Sequence, residues 1–178
     1  MFGRLIKAYR ESIDNKARAA NLKEVRLFID SLRDLSDEDM AVVIAVTTVI
    51  RINLEEHGYL PRNLFFDTHL PAPNDLARYQ MELNKLTRDF KRMKQPTDAV
   101  AAAVLSISLR CLNVPYLRDM GREMWEVLSR GFRYGEETIK KGEEEKGEAL
   151  DPRVWAEWNK IPHGLQPLTS ESSRIPTS

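Results

Sequence analysis

The sequence predicts an all-α fold: a helical bundle of five or six helices, with two central apolar helices and a short C-terminal helix that carries tryptophan. Apolar side chains recur every three or four residues from the N-terminus onward, which is typical of amphipathic helices. Two longer apolar stretches lie at 40–50 and 99–105. Both fall well short of the ~20 residues that span a bilayer, and both indicate buried core helices.

The composition is that of a single helical domain with a charged extension. The chain has 178 residues, and its 27 basic and 27 acidic residues cancel. Proteins that bind nucleic acid usually carry a basic surplus, so we expect no nucleic-acid partner. The first residues carry charge without the apolar stretch that follows in a secretory signal, so we expect none here, and the single cysteine, Cys111, fits a reducing compartment. We therefore expect a cytoplasmic protein without a cofactor.

The N-terminal stretch has the pattern of an amphipathic helix. Its apolar positions are Phe2, Leu5, Ile6, Tyr9 and Ile13. Two interpretations are open: the apolar face packs on the bundle, or it lies on an anionic membrane, against which Glu11 and Asp14 argue. A second amphipathic segment follows at 22–35. No proline or glycine separates the two, so they can form one long helix with a soft joint.

Capping residues predict where the next helices begin. Ser36 is a good N-cap, with Asp39 at the capping-box position, for an apolar helix over 39–54. Gly58 suits the residue after that helix. The loop at 58–73 contains three prolines and should pack on the core through its apolar residues, Leu64, Phe65, Phe66 and Leu70.

Three further helices are predicted at 75–94, 98–112 and 116–134. Asn74 is the expected N-cap of the first, Thr97-Asp98 opens the second, and Pro115 starts the third. The first carries a basic face made of Arg88, Lys91, Arg92 and Lys94. Such a face binds phosphate or an acidic protein, or it is simply solvated, which is the common role of exposed charges.

The chain changes character after the bundle, and we divide it into four segments. They are a helical bundle domain (1–134), a charged, glycine-punctuated helix end or linker (135–150), a short docking helix (151–162) and a disordered tail (163–178). Trp155, Trp158 and Ile161 line one face of the docking helix. Tryptophan anchors serve cores and interfaces alike, so this face docks on its own bundle or on a partner.

Catalytic machinery is not recognisable in the sequence. There is no glycine-rich phosphate loop and no His-Glu-x-x-His motif. The most suggestive donors are Glu56 and His57 at a predicted helix end, with Asp67 and His69 in the following loop. They could bind a metal if the loop folds back, although each has an ordinary structural role available. Cys111 lies among apolar neighbours and is interpreted as a core residue.

These observations favour a non-catalytic helical protein–protein interaction or adaptor module. Its partner is another protein or a second copy, and a homodimer is favoured because two nearly all-apolar helices need cover on every side. One alternative is a protein that binds a metal or a small ligand with the helix end and loop at 55–69. Another is a peripheral membrane protein that uses the N-terminal helix.

Overall fold

The computed structural model describes residues 2–62, 64–65 and 71–147. This part of the chain contains five α-helices, one 3-10 helix and no strand, which confirms the predicted all-α bundle. The α-helices are α1 (Phe2–Arg33), α2 (Asp37–Glu56), α3 (Pro73–Arg92), α4 (Pro96–Asn113) and α5 (Arg118–Lys146), and the 3-10 helix is Pro115–Leu117. The two N-terminal amphipathic segments form one continuous helix, α1.

Of the two predicted N-caps, Ser36 is confirmed and Asn74 is not. Ser36 caps α2, since its Oγ accepts a hydrogen bond from the Asp39 backbone N–H at 3.1 Å. The predicted Asn74 cap of α3 is wrong: the N-cap is Ala72, and Pro73 is the first helical residue. Proline suits this position because its missing N–H would have no partner there. α4 likewise begins at a proline, Pro96.

α4 lies at the centre of the bundle. It packs against α2, α3 and α5, and Arg110 near its end donates a hydrogen bond to Asn21 of α1 (3.0 Å). Its buried side chains are small or aliphatic, which lets its neighbours approach closely. They are Ala99, Ala101, Ala102, Val104, Leu105, Ser106, Ile107, Ser108, Leu109 and Cys111.

α2, the other apolar helix, is covered on one side. It packs against α4 and α5, and Met40, Val43 and Ile44 are buried. Val42 and Val49 point the other way and are 47% and 58% exposed. The apolar sequence is therefore enclosed in α4, whereas in α2 one side stays at the surface.

The segment after α2 packs back on the core. The chain turns at Gly58, whose φ of +75° is a conformation that glycine adopts without strain. Leu60, Leu64 and Phe65 are then buried in a cluster with side chains of α3 and α4. The prediction that this loop packs on the core is confirmed for Leu64 and Phe65, while Phe66 and Leu70 lie outside the described residues.

α5 continues beyond the predicted end of the bundle. It runs to Lys146, and Gly147 follows with a φ of +64°. Ion pairs one turn apart lie along the last part of the helix, Glu136 with Lys140 at 3.0 Å and Lys141 with Glu145 at 3.9 Å. The charged stretch that starts at residue 135 is thus helical as far as Lys146, in spite of its glycines.

Glu123, near the start of α5, ties α1 to α5. Its Oε1 accepts hydrogen bonds from Arg26 (2.5 Å) and Arg33 of α1. These bonds favour the ionised carboxylate, so they lower the pKa of Glu123, with the Arg26 bond as the largest cause. These two hydrogen bonds join residues that are far apart in sequence, and they fix the position of α1 along α5.

α2 and α5 come close together at Gly131. A Cβ at this position would lie 2.5 Å from Met40 Cγ and 2.6 Å from the Met40 carbonyl carbon. Both distances are far shorter than a normal carbon–carbon contact. The missing side chain of Gly131 therefore permits the approach of the two helices. At Gly142, in the same helix, a Cβ would meet nothing within 4 Å.

We predict opposite effects when the two glycines are replaced by alanine. Alanine is the better helix former by about 1 kcal/mol, so Gly142→Ala should raise the free energy of unfolding by up to that amount. Gly131→Ala should lower it by roughly 1 kcal/mol or more, because overpacking against the α2 backbone outweighs the helix propensity. Urea denaturation measures both. Equal stabilisation by the two substitutions would show that α2 and α5 are not in contact at Gly131.

A second prediction concerns the pH dependence of stability. Because the pKa of Glu123 is lower in the folded state, its stabilising effect is complete above its unfolded value of about 4.3 and is lost as pH falls through the folded value. Glu123→Gln should therefore lower the melting temperature at pH 7, and this difference from the wild type should vanish in acid. Asp119→Asn is the control, since Asp119 is highly exposed and its ion pair, with Arg122, lies within α5. A difference that persists in acid would contradict the assignment.

Candidate functional site

α1 extends past the bundle at its N-terminal end. Asn21 donates a hydrogen bond to the hydroxyl of Tyr116 (3.0 Å), and just after the end of α1 the Leu35 carbonyl accepts one from Arg130 of α5 (2.9 Å). Contacts therefore follow the same order in both segments, so α1 and α5 run in the same direction. The residues before Asn21 accordingly project beyond the beginning of α5.

The projecting part of α1 carries exposed side chains only. Every side chain from residue 3 to residue 20 is exposed. Arg18 reaches back to the bundle, where its guanidinium lies 4.8 Å from the centre of the Tyr116 ring. We call residues 3–17 the arm; at 1.5 Å per residue it is about 22 Å long.

The exposed side of α1 is apolar along much of its length. Leu5 is 64% exposed, Tyr9 69% and Leu27 59%. Tyr9 and Leu27 belong to a line of exposed positions that recur every three or four residues, and Leu5 lies beside this line. The line begins in the arm and continues over the half of α1 that is anchored on the bundle. We call this line the outer stripe; it consists of Ile6, Tyr9, Ile13, Lys16, Ala20, Lys23 and Leu27.

The outer stripe points away from the bundle. Leu27 lies two residues from both Val25 and Ile29, which are fully buried, and two residues correspond to about 200° around a helix. Tyr9 precedes Leu27 by 18 residues, about five full turns, so the two point the same way. The face that anchors α1 is thus opposite to the face that carries the outer stripe.

This geometry decides one of the questions that the sequence leaves open. Packing of the N-terminal apolar face on the bundle is wrong for the described side chains of the arm, since Leu5, Ile6, Tyr9 and Ile13 are all exposed. The apolar face of the arm points away from the bundle, on the opposite side of α1 from the face that is buried further along the helix. The bundle of the same chain therefore cannot cover the arm without a break in α1.

The predicted basic face of α3 is divided by the structure. Arg88 and Lys91 line a groove of about 400 Å³ between α1 and α3, and neither makes an ion pair with a described residue. Arg92 instead pairs with Asp89 (3.2 Å), and Lys94 lies beyond the end of α3 with a φ of +57°. Only half of this basic face is therefore available to a ligand in the groove.

Asn84 and Ser106 form a polar part of the groove, next to apolar lining residues such as Phe28 and Ile107. Gln80 donates a hydrogen bond to the Ser106 hydroxyl (2.8 Å), which in turn donates to Asn84 Oδ1 (2.5 Å). Arg110 also faces the groove, but it pairs with Glu24 of α1 at 2.9 Å. The groove thus combines two cations, which form no ion pair with a described residue, with the side chains of Asn84 and Ser106, which are held in place by α3 and α4.

The predicted metal donors are only partly described. Glu56 is the last residue of α2, and His57 is its C-cap; both are exposed. The Nδ1 of His57 lies 2.8 Å from the Asn53 carbonyl oxygen, and because a carbonyl only accepts, Nδ1 is the donor. Asp67 and His69 lie outside the described residues, so a site made of all four stays a prediction. Within the described ranges, no group of three or more donors is placed to hold a metal.

Cys111 is a buried residue of α4. Burial raises the pKa of its thiol to about 11, because the thiolate would lose its solvation. At neutral pH the side chain is therefore a protonated, apolar core group, which agrees with its interpretation from the sequence.

Comparisons with known proteins add no relative. No family model, no curated protein and no solved structure matches this chain. The class that the structure defines is thus an all-α bundle with a projecting amphipathic arm. The predicted partner-binding residues Trp155, Trp158 and Ile161 lie outside the described residues.

Part of the candidate site was not identified from the sequence. The apolar positions of the arm were recognised, but Lys16, Ala20, Lys23 and Leu27 were not connected with them. The signal was present: from Ile6 onward these positions continue an unbroken alternation of steps of three and four residues. The polar residues of the groove had no such signal, because they are far apart in sequence.

Proposed function

We propose that the protein is a non-catalytic protein–protein interaction module whose docking surface is the outer stripe of α1. The observation that carries this proposal is the direction of the stripe, which faces away from the core that anchors the same helix. Large apolar side chains that are aligned on one exposed face are the usual mark of an interaction surface.

The energetics of the arm support this proposal. An isolated helix of fewer than about 12–15 residues is marginal in water, because most helix stability in proteins comes from packing of an amphipathic face. The arm has such a face and no cover for it within the described chain. A partner helix in contact with Leu5, Ile6, Tyr9 and Ile13 would supply the missing contacts, each apolar side chain contributing up to about 1.5–3 kcal/mol on burial.

The proposed cellular location and a second proposed contact surface are inferred from the sequence. No helix within residues 2–62 and 71–147 has the length and apolar content needed to cross a bilayer. We infer a cytoplasmic location from the single, buried Cys111. Trp155, Trp158 and Ile161 are a second proposed contact, so that the protein would act as an adaptor with docking elements at both ends of the chain.

The proposal predicts that charge in the outer stripe abolishes docking and leaves the fold intact. Tyr9→Lys with Ile13→Lys should shift the free energy of unfolding by less than about 0.5 kcal/mol per site, since both residues are exposed. Partner capture from a native extract, quantified by mass spectrometry and repeated with the purified partner, should be lost. The control is Ala8→Lys with Asn15→Lys, which adds the same charge to the same arm off the stripe. Loss of capture in both variants, or in neither, would contradict the proposal.

A second candidate function is the binding of a small anion in the groove between α1 and α3. It is favoured by Arg88 and Lys91, which form no ion pair with a described residue, beside the ordered hydrogen-bonding side chains of Asn84 and Ser106. Cations and hydroxyl or amide groups on different helices are the elements of a phosphate or carboxylate site. Glu24 lies on the opposite wall of the groove, and its negative charge would repel a ligand with a high negative charge.

This candidate predicts stabilisation by inorganic phosphate. Millimolar phosphate should raise the melting temperature of the wild type, and Arg88→Ala with Lys91→Ala should remove most of that increase. Arg92→Ala with Lys94→Ala is the matched control, because it removes the same charge from the same basic face outside the groove. An equal response of both double variants would show that phosphate acts only through general ionic strength.

A further inference from the structure

We propose that the outer stripe of α1 docks on the outer stripe of a second copy, with the two helices antiparallel and Tyr9 opposite the partner's Ala20. This inference rests on the proposed function and names its partner. It follows from three properties of the stripe: its period, the order of its large, small and charged positions, and its placement on the bundle.

The period is that of a two-helix contact. The positions 6, 9, 13, 16, 20, 23 and 27 are separated alternately by three and four residues, the spacing with which one α-helix follows another in a coiled coil. The alternation runs without a slip over about 32 Å of helix. A stripe that served only a short peptide would not need to continue from the arm over the anchored half of α1.

When the second copy runs antiparallel, large residues of one stripe lie opposite small or flexible residues of the other. In the register that places Tyr9 opposite the partner's Ala20, the large aromatic ring faces a small side chain. Ile6 then lies opposite the partner's Lys23, and Ile13 opposite the partner's Lys16. The aliphatic stems of the lysines can cover the isoleucines while their ammonium groups reach solvent.

Charge complementarity supports the antiparallel direction. A parallel pair would place Lys16 against the partner's Lys16 and Lys23 against the partner's Lys23 in the seam, where like charges oppose association. The antiparallel pair instead places each Lys16 opposite the partner's Ile13, so that the two Lys16 side chains lie in neighbouring layers, and it moves the two Lys23 side chains to opposite ends of the stripe. It also brings Arg10, which flanks the stripe, within side-chain reach of the partner's Glu24, whose carboxylate pairs with Arg110 of its own chain as well, and the symmetry repeats this attraction on the other side.

The bundles do not obstruct this pairing. Each bundle is anchored through Val25, Ile29 and Leu32, on the side of α1 opposite to the stripe. Two copies that meet through their stripes therefore carry their bundles on the outside, at opposite ends of the helix pair. A membrane surface is a poorer occupant, because Lys16 and Lys23 would lie in the middle of the inserted face.

The experiment measures mass and register with the full chain. Light scattering after size exclusion should give the mass of two chains for the wild type and for Ala8→Lys with Asn15→Lys. Tyr9→Lys with Ile13→Lys should weaken the dimer roughly 100-fold, because it places like charges opposite Lys16 and buries them in the seam. Trp155→Ala with Trp158→Ala should leave the dimer unchanged.

Disulfide trapping tests the register. A mixture of the variants Tyr9→Cys and Ala20→Cys should form a mixed disulfide on mild oxidation, whereas Tyr9→Cys alone should not cross-link with itself. The native Cys111 does not interfere, since it is buried. Self cross-linking of Tyr9→Cys would overturn the antiparallel register.

The outcomes separate this inference from the proposed function. A wild type that stays monomeric, a dimer that survives Tyr9→Lys with Ile13→Lys, or a dimer lost with the two tryptophans overturns the inference. The interaction-module proposal would still stand if capture of a defined protein depended on the stripe. A monomer that floats with vesicles of anionic lipid, and no longer does so when Tyr9 and Ile13 are replaced by lysine, would overturn both.

Discussion

The burial of α4 is the constraint on which the rest of the structure depends. Its small side chains, among them Ala101 and Ala102 with no exposed surface, let helices pack around it at short distance. α2 and α5 in turn approach each other at Gly131, where no side chain intervenes. The anchored half of α1 joins the same core through Val25, Ile29 and Leu32, which cluster with residues of α2, α4 and α5. α2, α3 and α5 therefore turn apolar faces toward one central element, and α1 joins that core mainly through α5.

This arrangement determines how α1 presents its other face. No proline or glycine interrupts α1 between Gly3 and Arg33, so the arm continues the axis of the anchored half. Burial of Ile29 and Leu32, together with the bonds from Arg26 and Arg33 to Glu123, fixes the rotation of the helix about that axis. The direction of Tyr9 and Ile13 is thus set by contacts several turns away. The bundle therefore sets the direction in which the outer stripe points, and a partner supplies the contacts that the arm itself lacks.

The sequence was sufficient for the fold class and for most helix bounds, because helical periodicity and proline positions are local signals. Ser36 was recognised as a cap since its effect depends on residues within one turn. Asn74 was misjudged because two good starting residues, Pro73 and Asn74, stand side by side. Exposure was harder to predict. The apolar pattern of the arm is the same whether it packs on its own bundle or on a partner, and only the anchoring of Val25 and Ile29 decides which. The split of the basic face into Arg88 and Lys91 in the groove, and Arg92 and Lys94 outside it, depends likewise on where α1 lies.

The two lysines of the outer stripe determine how strong the proposed pairing of two stripes would be. Lys16 and Lys23 occupy positions where an apolar residue would give a stronger helix pair, so they lower the affinity of any partner. In exchange, they favour the antiparallel direction, because only a parallel pair places each lysine directly opposite its own copy. An interface with charged positions in its seam is weaker and more polar than that of an obligate dimer. Such a dimer can dissociate without unfolding its bundles, since the core around α4 does not include the stripe. The same surface is then free to accept another helix with a similar pattern. The proposed self-association through α1 and the proposed adaptor function are therefore compatible: a second copy would cover the apolar stripe until another partner replaced it.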